Sequence, residues 1–155
     1  MAVDPHALGL VVRWLHVAAM AVALGGATLV FALALGGAGR DVPRRTLLEA
    51  ALSYERTFWA GVGLLAMTGV GNLATFGAGL APPESAWGAT FLVKLSGVIA
   101  VAALSVPRTL AVAQLVAREI PLDRSRLRTT LRVLYGTTAG ALAGILALAV
   151  WLAHR

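Results

Sequence analysis

The sequence predicts an all-α integral membrane protein, folded as a bundle of four transmembrane helices. Of its 155 residues, 59% are hydrophobic and 13% are charged, which is too little charge to cover the surface of a soluble domain. The charged residues are grouped in short segments, and the uncharged stretches between them reach the length of about 20 residues that crosses a bilayer. The chain has no cysteine, which excludes disulfides, thiolate metal sites and cysteine nucleophiles.

One domain covers residues 1–155, with spans expected at about 5–35, 57–80, 86–115 and 133–153. The first helix is expected to begin at Pro5, because proline suits the first turn of a helix and Asp4 suits the N-cap before it. The glycines that follow Leu35 are expected to end it. Met1 to Pro5 is too short and too acidic for a signal peptide, so we interpret it as mature sequence.

Proline and charge mark the boundaries of the next two helices. The second helix is expected to begin near Arg44, before its uncharged span, and to end before Pro82 and Pro83. The third span contains Pro107, where a kink is expected. Arg108 follows it, and its long side chain is expected to snorkel to the nearby membrane boundary.

Two arginine-rich connections predict the orientation in the membrane. The first and third connections contain arginine and the middle one contains none, and the positive-inside rule places Lys and Arg in the cytoplasm. Both termini are therefore expected outside, on the periplasmic side of a bacterial inner membrane. The arginines lack interleaved aromatic residues, so the net charge of +6 indicates topology, with the lipid bilayer and not nucleic acid as the partner. The arginines of the two connections are Arg40, Arg44, Arg45 and Arg56 in the first and Arg118, Arg124, Arg126, Arg128 and Arg132 in the third.

His16 is a titratable residue within the first apolar span. It lies in the stretch RWLHVAAMAVALGG, residues 13–26, and shares a helix face with Met20, four residues further on. On the second helix, Met67 is placed to face Met20. Imidazole and thioether ligands suit a transition metal such as Cu(I), so His16, Met20 and Met67 are the metal-ligand candidates. The alternative is that each methionine only fills a gap in the core.

Three further residues, with His16, are candidates for binding a cofactor. Lys94 is the one lysine in the sequence, and a charge within a span costs about 2.5–3.5 kcal/mol on insertion scales. It either snorkels to the outer interface or faces the interior beside an anionic group such as a propionate or a quinone oxygen. Asn72 must find partners for its amide. Trp14 either belongs to an interfacial aromatic belt or stacks on the cofactor.

The fourth span contains the pattern GxxxGxxxG at Gly136, Gly140 and Gly144. This spacing favours close helix packing, either within the bundle or in a homodimer. No catalytic residue is assigned. Glu55 is expected at a membrane edge, far from His16, and the lack of an acidic residue within the spans disfavours hydrolytic chemistry.

Three segments carry a resemblance to a known family. In order, and before a basic segment, they are RWLHVAAMAVALGG (13–26), LLAMTGVGNL (64–73) and FLVKLSGVIAVAALSVPR (91–108). They resemble the membrane domain of the copper-resistance protein D (CopD-like) family, and the resemblance covers nearly the whole chain. It implies copper handling, often beside periplasmic copper-binding partners, and puts His16 first as the copper ligand. Members of that family are usually longer, so this chain would correspond to the four-helix core.

The chain is also similar, more distantly, to the HemJ-type protoporphyrinogen oxidases. Those are small helical membrane proteins with a histidine in an early span and a lysine further on. This resemblance implies binding of haem b and haem-dependent oxidoreductase activity. A third alternative is a non-catalytic accessory subunit of a respiratory or transport complex, with His16 merely hydrogen-bonded between helices. The sequence leaves these three functions open.

Overall fold

A computed structural model describes residues 4–36, 42–74, 82, 84–117 and 123–154. The described chain forms four helices, α1 (Pro5–Leu35), α2 (Arg44–Ala74), α3 (Ala86–Ala117) and α4 (Arg124–Ala153). This confirms the all-α prediction. Three of the helices, α1, α3 and α4, contain stretches that are long and apolar enough to cross a membrane.

Local capping explains where α1 and α3 begin. Asp4 is the N-cap of α1, and its carboxylate accepts a hydrogen bond of 3.0 Å from the backbone N–H of His6. Pro5 occupies the first turn, where a missing N–H costs the helix nothing. The predicted start of this helix is therefore confirmed. At α3, the hydroxyl oxygen of Ser85 accepts from the N–H of Gly88 at 2.9 Å, which satisfies one of the unpaired donors of the first turn.

The helices form a closed ring in which neighbours run antiparallel. α1 packs against α2 and α4, and α3 packs against α4 and α2, so α1 and α3 are diagonal to each other. One end of the bundle, where α1 and α3 end and α2 and α4 begin, carries most of the arginines of the described chain, and we call it the arginine end. The opposite end contains Asp4, Ser85 and His154, and we call it the terminus end.

The beginning of α4 differs from the expectation for the third connection. The helix begins at Arg124, so four arginines assigned to a loop lie in its first turns: Arg124, Arg126, Arg128 and Arg132. Arg132 explains part of the difference, because its guanidinium donates to the carbonyl oxygens of Ala34 and Leu35, each at 2.9 Å. These are among the last carbonyls of α1, which have no partner within their own helix. The start of α4 is thereby tied to the end of α1.

The apolar core fills the half of the bundle nearer the arginine end. Its buried members come from residues 23–34 of α1, 47–58 of α2, 112–115 of α3 and 127–142 of α4. Close helix approach is visible at Gly26, where an added Cβ would lie 2.6 Å from Cδ2 of Tyr54, nearer than two carbon atoms pack. In the other half, few of the described side chains are fully buried.

A buried ion pair joins α2 and α3 within this core. Glu55 and Arg108 are 2% and 3% exposed. The guanidinium binds the carboxylate through two hydrogen bonds, from Nε to Oε1 at 2.8 Å and from Nη2 to Oε2 at 3.0 Å. The expectation that Arg108 snorkels is therefore wrong, and Glu55 is buried within the bundle beside it. A bidentate pair satisfies both charges in the interior, whereas a snorkelling arginine would leave the carboxylate without a counter-ion.

Hydroxyl groups complete the hydrogen bonding of this pair. Tyr135 donates to Oε1 of Glu55 at 2.7 Å, and Thr109 donates to Oε2. Thr138 accepts from Nη1 of Arg108 at 2.8 Å. We call Glu55, Arg108, Thr109, Tyr135 and Thr138 the charged core cluster. Its members come from α2, α3 and α4, so it fixes the position of three helices relative to one another.

Candidate ligand site at His16

His16 lies in α1 toward the terminus end and points at α2. Its Nδ1 is 2.8 Å from the hydroxyl oxygen of Thr68, which is buried. The imidazole lies against the backbone of α2, because a Cβ added at Gly69 would be 3.7 Å from its Cε1. Val12 lies one turn before His16 on α1, and a Cβ added at Gly71 would be 3.1 Å from its Cγ1. Glycines of α2 therefore let the two helices approach and hold the ring at their interface.

The hydrogen bonds of Thr68 determine the tautomer of His16. A threonine hydroxyl has one proton, and that of Thr68 is donated to the carbonyl oxygen of Leu64 at 2.6 Å. The hydroxyl oxygen therefore accepts from His16, so Nδ1 carries the proton of the neutral ring. Nε2 then has an available lone pair, which can bind a metal ion or accept a hydrogen bond. Metal-binding histidines commonly donate their second N–H to a fixed acceptor in this way.

Lys94 lies on the diagonal helix α3, toward the same end of the bundle. Its ammonium is within electrostatic range of the His16 ring, and the residue is partly buried. Neither of the ion pairs between described residues includes Lys94. A partly buried ammonium without a carboxylate partner favours the binding of an anionic group. Lys94 is therefore a charged residue that acts on His16 from across the bundle, and its binding of an anionic group stays a prediction.

The two methionines occupy different environments. Met20, one turn from His16 on α1, is partly buried and packs against the apolar core. Met67 is 76% exposed, so the expectation that it faces Met20 across the interior is not met. Successive residues of a helix are rotated by about 100°, and Thr68 takes the inward position on α2. Met67, the preceding residue, is turned outward.

Trp14 and Asn72 are not part of the site that the structure describes at His16. Trp14 is 69% exposed on α1, which suits an aromatic belt better than stacking on a ligand within the bundle. Asn72 belongs to α2, but its side chain lies outside the described part of the protein. The site that can be described therefore consists of His16, Thr68 and Lys94, with Met20 one turn away.

The donor set is small. Within the described ranges, no group of three or more His, Asp or Glu side chains is placed to hold a metal ion. A metal at His16 would therefore have one imidazole from these residues, with the Met20 thioether as the soft donor on the same helix face. Thr68 is the site residue that sequence reasoning missed. A threonine in an apolar helix bonds to its own backbone or to a neighbour, and here it does both.

The chain matches no family model, no curated protein and no solved structure. Four-helix bundles serve unrelated functions, so the fold adds little. Function must be inferred from the site itself, in which the imidazole of His16 is held by the hydroxyl of Thr68.

Proposed function

We propose that the protein binds copper at His16 and takes part in copper handling at a membrane. The observation that carries the proposal is the hydrogen bonding of the imidazole, whose Nδ1–H is donated to Thr68. Nε2 is left unprotonated and able to bind a metal. Imidazole and thioether suit Cu(I), and Met20 supplies a thioether one turn along the same helix.

The proposal includes four membrane crossings with both termini outside. α2 packs between α1 and α3, two helices that are long and apolar enough to span, and His16 of α1 contacts Thr68 of α2 near the terminus end. α2 therefore runs beside the spanning helix α1 from the arginine end to the depth of Thr68. We infer that α2 crosses the membrane together with α1. The arginine end faces the cytoplasm of a bacterium, so His16 lies in the periplasmic half of the inner membrane, within reach of a periplasmic copper-binding partner.

Haem b is a second candidate, and Lys94 favours it. An ammonium beside the site repels a bound copper cation, but it pairs with the propionate of a haem. One axial histidine whose other N–H is hydrogen-bonded can hold haem iron. With haem bound at His16, the protein would be an oxidoreductase of the HemJ type.

An absorption spectrum combined with metal analysis of freshly extracted protein separates the two candidates. Copper without a Soret band supports copper handling, and a Soret band supports haem. The His16→Ala variant should lose either ligand. The matched control is His154→Ala, because His154 is exposed and its Nδ1 donates to the carbonyl of Val150 in its own helix at 2.8 Å. Protein that holds neither ligand and co-purifies with other membrane proteins would overturn both candidates in favour of an accessory subunit.

Replacing Lys94 should change the affinities for copper and for haem in opposite directions. Lys94→Met removes the ammonium, so copper affinity should rise about tenfold, the factor that about 1.4 kcal/mol of charge repulsion represents. Haem affinity should instead fall, because a propionate loses its counter-ion. Arg13→Met is the control, since Arg13 is exposed on α1 toward the same end. Unchanged affinities for both ligands would show that Lys94 is not part of the site.

A further inference from the structure

α3 has two halves that are packed differently. Its buried residues are Gly88, Ser105, Arg108, Val112 and Leu115, so all but one lie in the half toward the arginine end. From residue 89 to residue 104, no side chain is buried. We call residues 86–104 the loose half of α3. It contains Lys94, one of the two charged or titratable groups of the candidate site.

The loose half has few neighbours in the bundle. A Cβ added at Gly97 would be 3.6 Å from Cγ1 of Ile145, an ordinary contact between α3 and α4. Nearer the terminus end, an apolar groove runs between the two helices, lined by Thr90 and Val93 on α3 and by Gly144 on α4 among others. Gly144 and Ala147 of α4 contribute little side-chain volume to this groove, which Leu148 and Trp151 also line. Little packing energy therefore holds the loose half against the bundle.

The other half of α3 is anchored. Arg108 is bonded to Glu55 of α2 and to Thr138 of α4, and Trp59 of α2 donates to the hydroxyl of Thr109 at 2.9 Å. Buried polar groups of this kind are costly to separate, because each would lose its partner away from water. The charged core cluster therefore fixes the helix at Arg108.

Pro107 lies at the boundary between the two halves. Proline has no backbone N–H, so the carbonyl of Ala103, four residues earlier, lacks its helical hydrogen bond, and the proline ring crowds that carbonyl. Helices bend most readily at such positions. The most deformable point of α3 thus coincides with the end of its anchored half.

We propose that the loose half of α3 is a lateral gate, which swings about Pro107 and opens the site at His16 and Lys94 toward the lipid phase. On the haem candidate of the proposed function, the gate admits this amphipathic molecule from the membrane, with a propionate directed at the ammonium. The identity of that ligand depends on the proposed function, but the motion itself does not. A gate of this kind requires a hinge, an anchor on one side of it and weak packing on the other, and α3 has all three.

The motion is tested without any ligand. Because the chain has no cysteine, spin labels can be placed at chosen sites, and Leu92, Leu110 and Val22 are all exposed. Double electron–electron resonance between Val22→Cys on α1 and Leu92→Cys in the loose half should give a broad distance distribution. The matched pair of Val22→Cys and Leu110→Cys, in the anchored half, should give a narrow one. Pro107→Ala restores the missing N–H and should narrow the first distribution. Equal widths for the two pairs, or no change with Pro107→Ala, would overturn the gate.

The entry role is tested with a crosslink. In Gly97→Cys/Ile145→Cys, oxidation ties the loose half to α4 at an existing contact. Loading of added haem should be at least tenfold slower in the oxidised protein than in wild-type protein given the same oxidant, with the final occupancy unchanged. Equal loading rates would overturn entry through this gate. If haem does not bind, the haem candidate fails, whereas the spin-label distances still decide the hinge.

Discussion

Arg108 and Glu55 illustrate how two charges are kept in an apolar core. Removing each ion from water costs several kcal/mol, and only good geometry with every donor and acceptor satisfied offsets that cost. Here the carboxylate accepts from Arg108 and Tyr135. The rings of Tyr54 and Phe58 lie 5.2 and 4.5 Å from the guanidinium carbon, where the aromatic faces attract a cation. The surroundings of the pair thus take the place of water.

Removal of one partner should therefore be far more damaging than removal of both. Arg108→Leu leaves Glu55 buried without a counter-ion, and we expect a loss of about 3–5 kcal/mol in the free energy of unfolding. The double variant Glu55→Leu/Arg108→Leu should recover part of this loss, since no charge remains unpaired. Denaturant unfolding in detergent, followed by tryptophan fluorescence, measures both.

Arg45→Ala is the control for this experiment. Arg45 pairs with Glu49 on the surface of α2, and both side chains are largely exposed. Water and salt screen such a pair, so its removal should leave the unfolding curve nearly unchanged. If Arg108→Leu were no more harmful than Arg45→Ala, the charged core cluster would not hold α3 in place.

Thr68 should control ligand affinity through the orientation of the imidazole. Thr68→Val keeps the shape of the side chain but removes the acceptor for Nδ1–H, and we expect affinity for copper or haem to fall 10- to 100-fold, the usual effect of losing such a partner. Thr68→Ser should retain most of the affinity. Ligand titration of purified protein measures both, with Thr28→Val as a control, since Thr28 is exposed and donates only within its own helix. Wild-type affinity in Thr68→Val would mean that the hydrogen bond does not orient the ligand.

The positions of some of these side chains could be predicted from the sequence, and those of others could not. His16 and Lys94 are identified by polarity alone, because a titratable group in an apolar stretch demands a partner. The direction of a side chain is harder to predict, and Met67 was assigned to the interior although Thr68 is the residue that points inward. Arg108 was assigned to the boundary because its partner is 53 positions away in the chain, and no local pattern indicates which acidic residue a distant arginine will meet.

The ends of the helices were predictable where the cause is local. Asp4 and Pro5 determine the start of α1 through the N-cap and the first turn. α4 begins earlier than its apolar span, and these early turns make tertiary contacts, since Arg132 bonds to the end of α1 and Leu127 and Leu131 are buried in the core. The glycines of α4 differ in their surroundings. A Cβ added at Gly136 would lie 3.0 Å from Phe31, whereas a Cβ added at Gly140 would meet no atom within 4 Å. Only the first of these two positions packs α4 against α1.

Adjacent glycines of α1 give a direct test of how tightly α1 and α2 pack. Gly26→Ala would place a Cβ 2.6 Å from the Tyr54 ring, and overpacking of this kind costs about 1–3 kcal/mol. Gly25→Ala meets nothing within 4 Å and should stabilise the protein by up to about 1 kcal/mol, because alanine favours the helix. Thermal unfolding of the two variants in the same detergent should shift in opposite directions. Shifts of the same sign would show that Tyr54 does not limit the approach of the helices.

Along its length, the molecule separates the tightly packed core from the candidate site. The apolar core and the charged core cluster occupy the half toward the arginine end, where three helices are bonded together. The candidate site lies in the other half, where α3 is loosely packed. Regions that bind and move are commonly the less stable parts of a fold. In the proposed gate, a rigid half thus positions the half that opens.

This division requires the arginine end and the terminus end to lie on opposite sides of the membrane, which single cysteines test in the cysteine-free chain. A membrane-impermeant maleimide should label Glu84→Cys in intact cells, because Glu84 is exposed at the terminus end. Arg45→Cys and Arg126→Cys, both exposed at the arginine end, should be labelled only after the membrane is permeabilised, since arginine-rich segments stay in the cytoplasm. Labelling of Arg45→Cys and Glu84→Cys from the same side would mean that α2 does not cross. His16 and Thr68 could not then meet inside a bundle with α1 spanning, and the site would have to be abandoned.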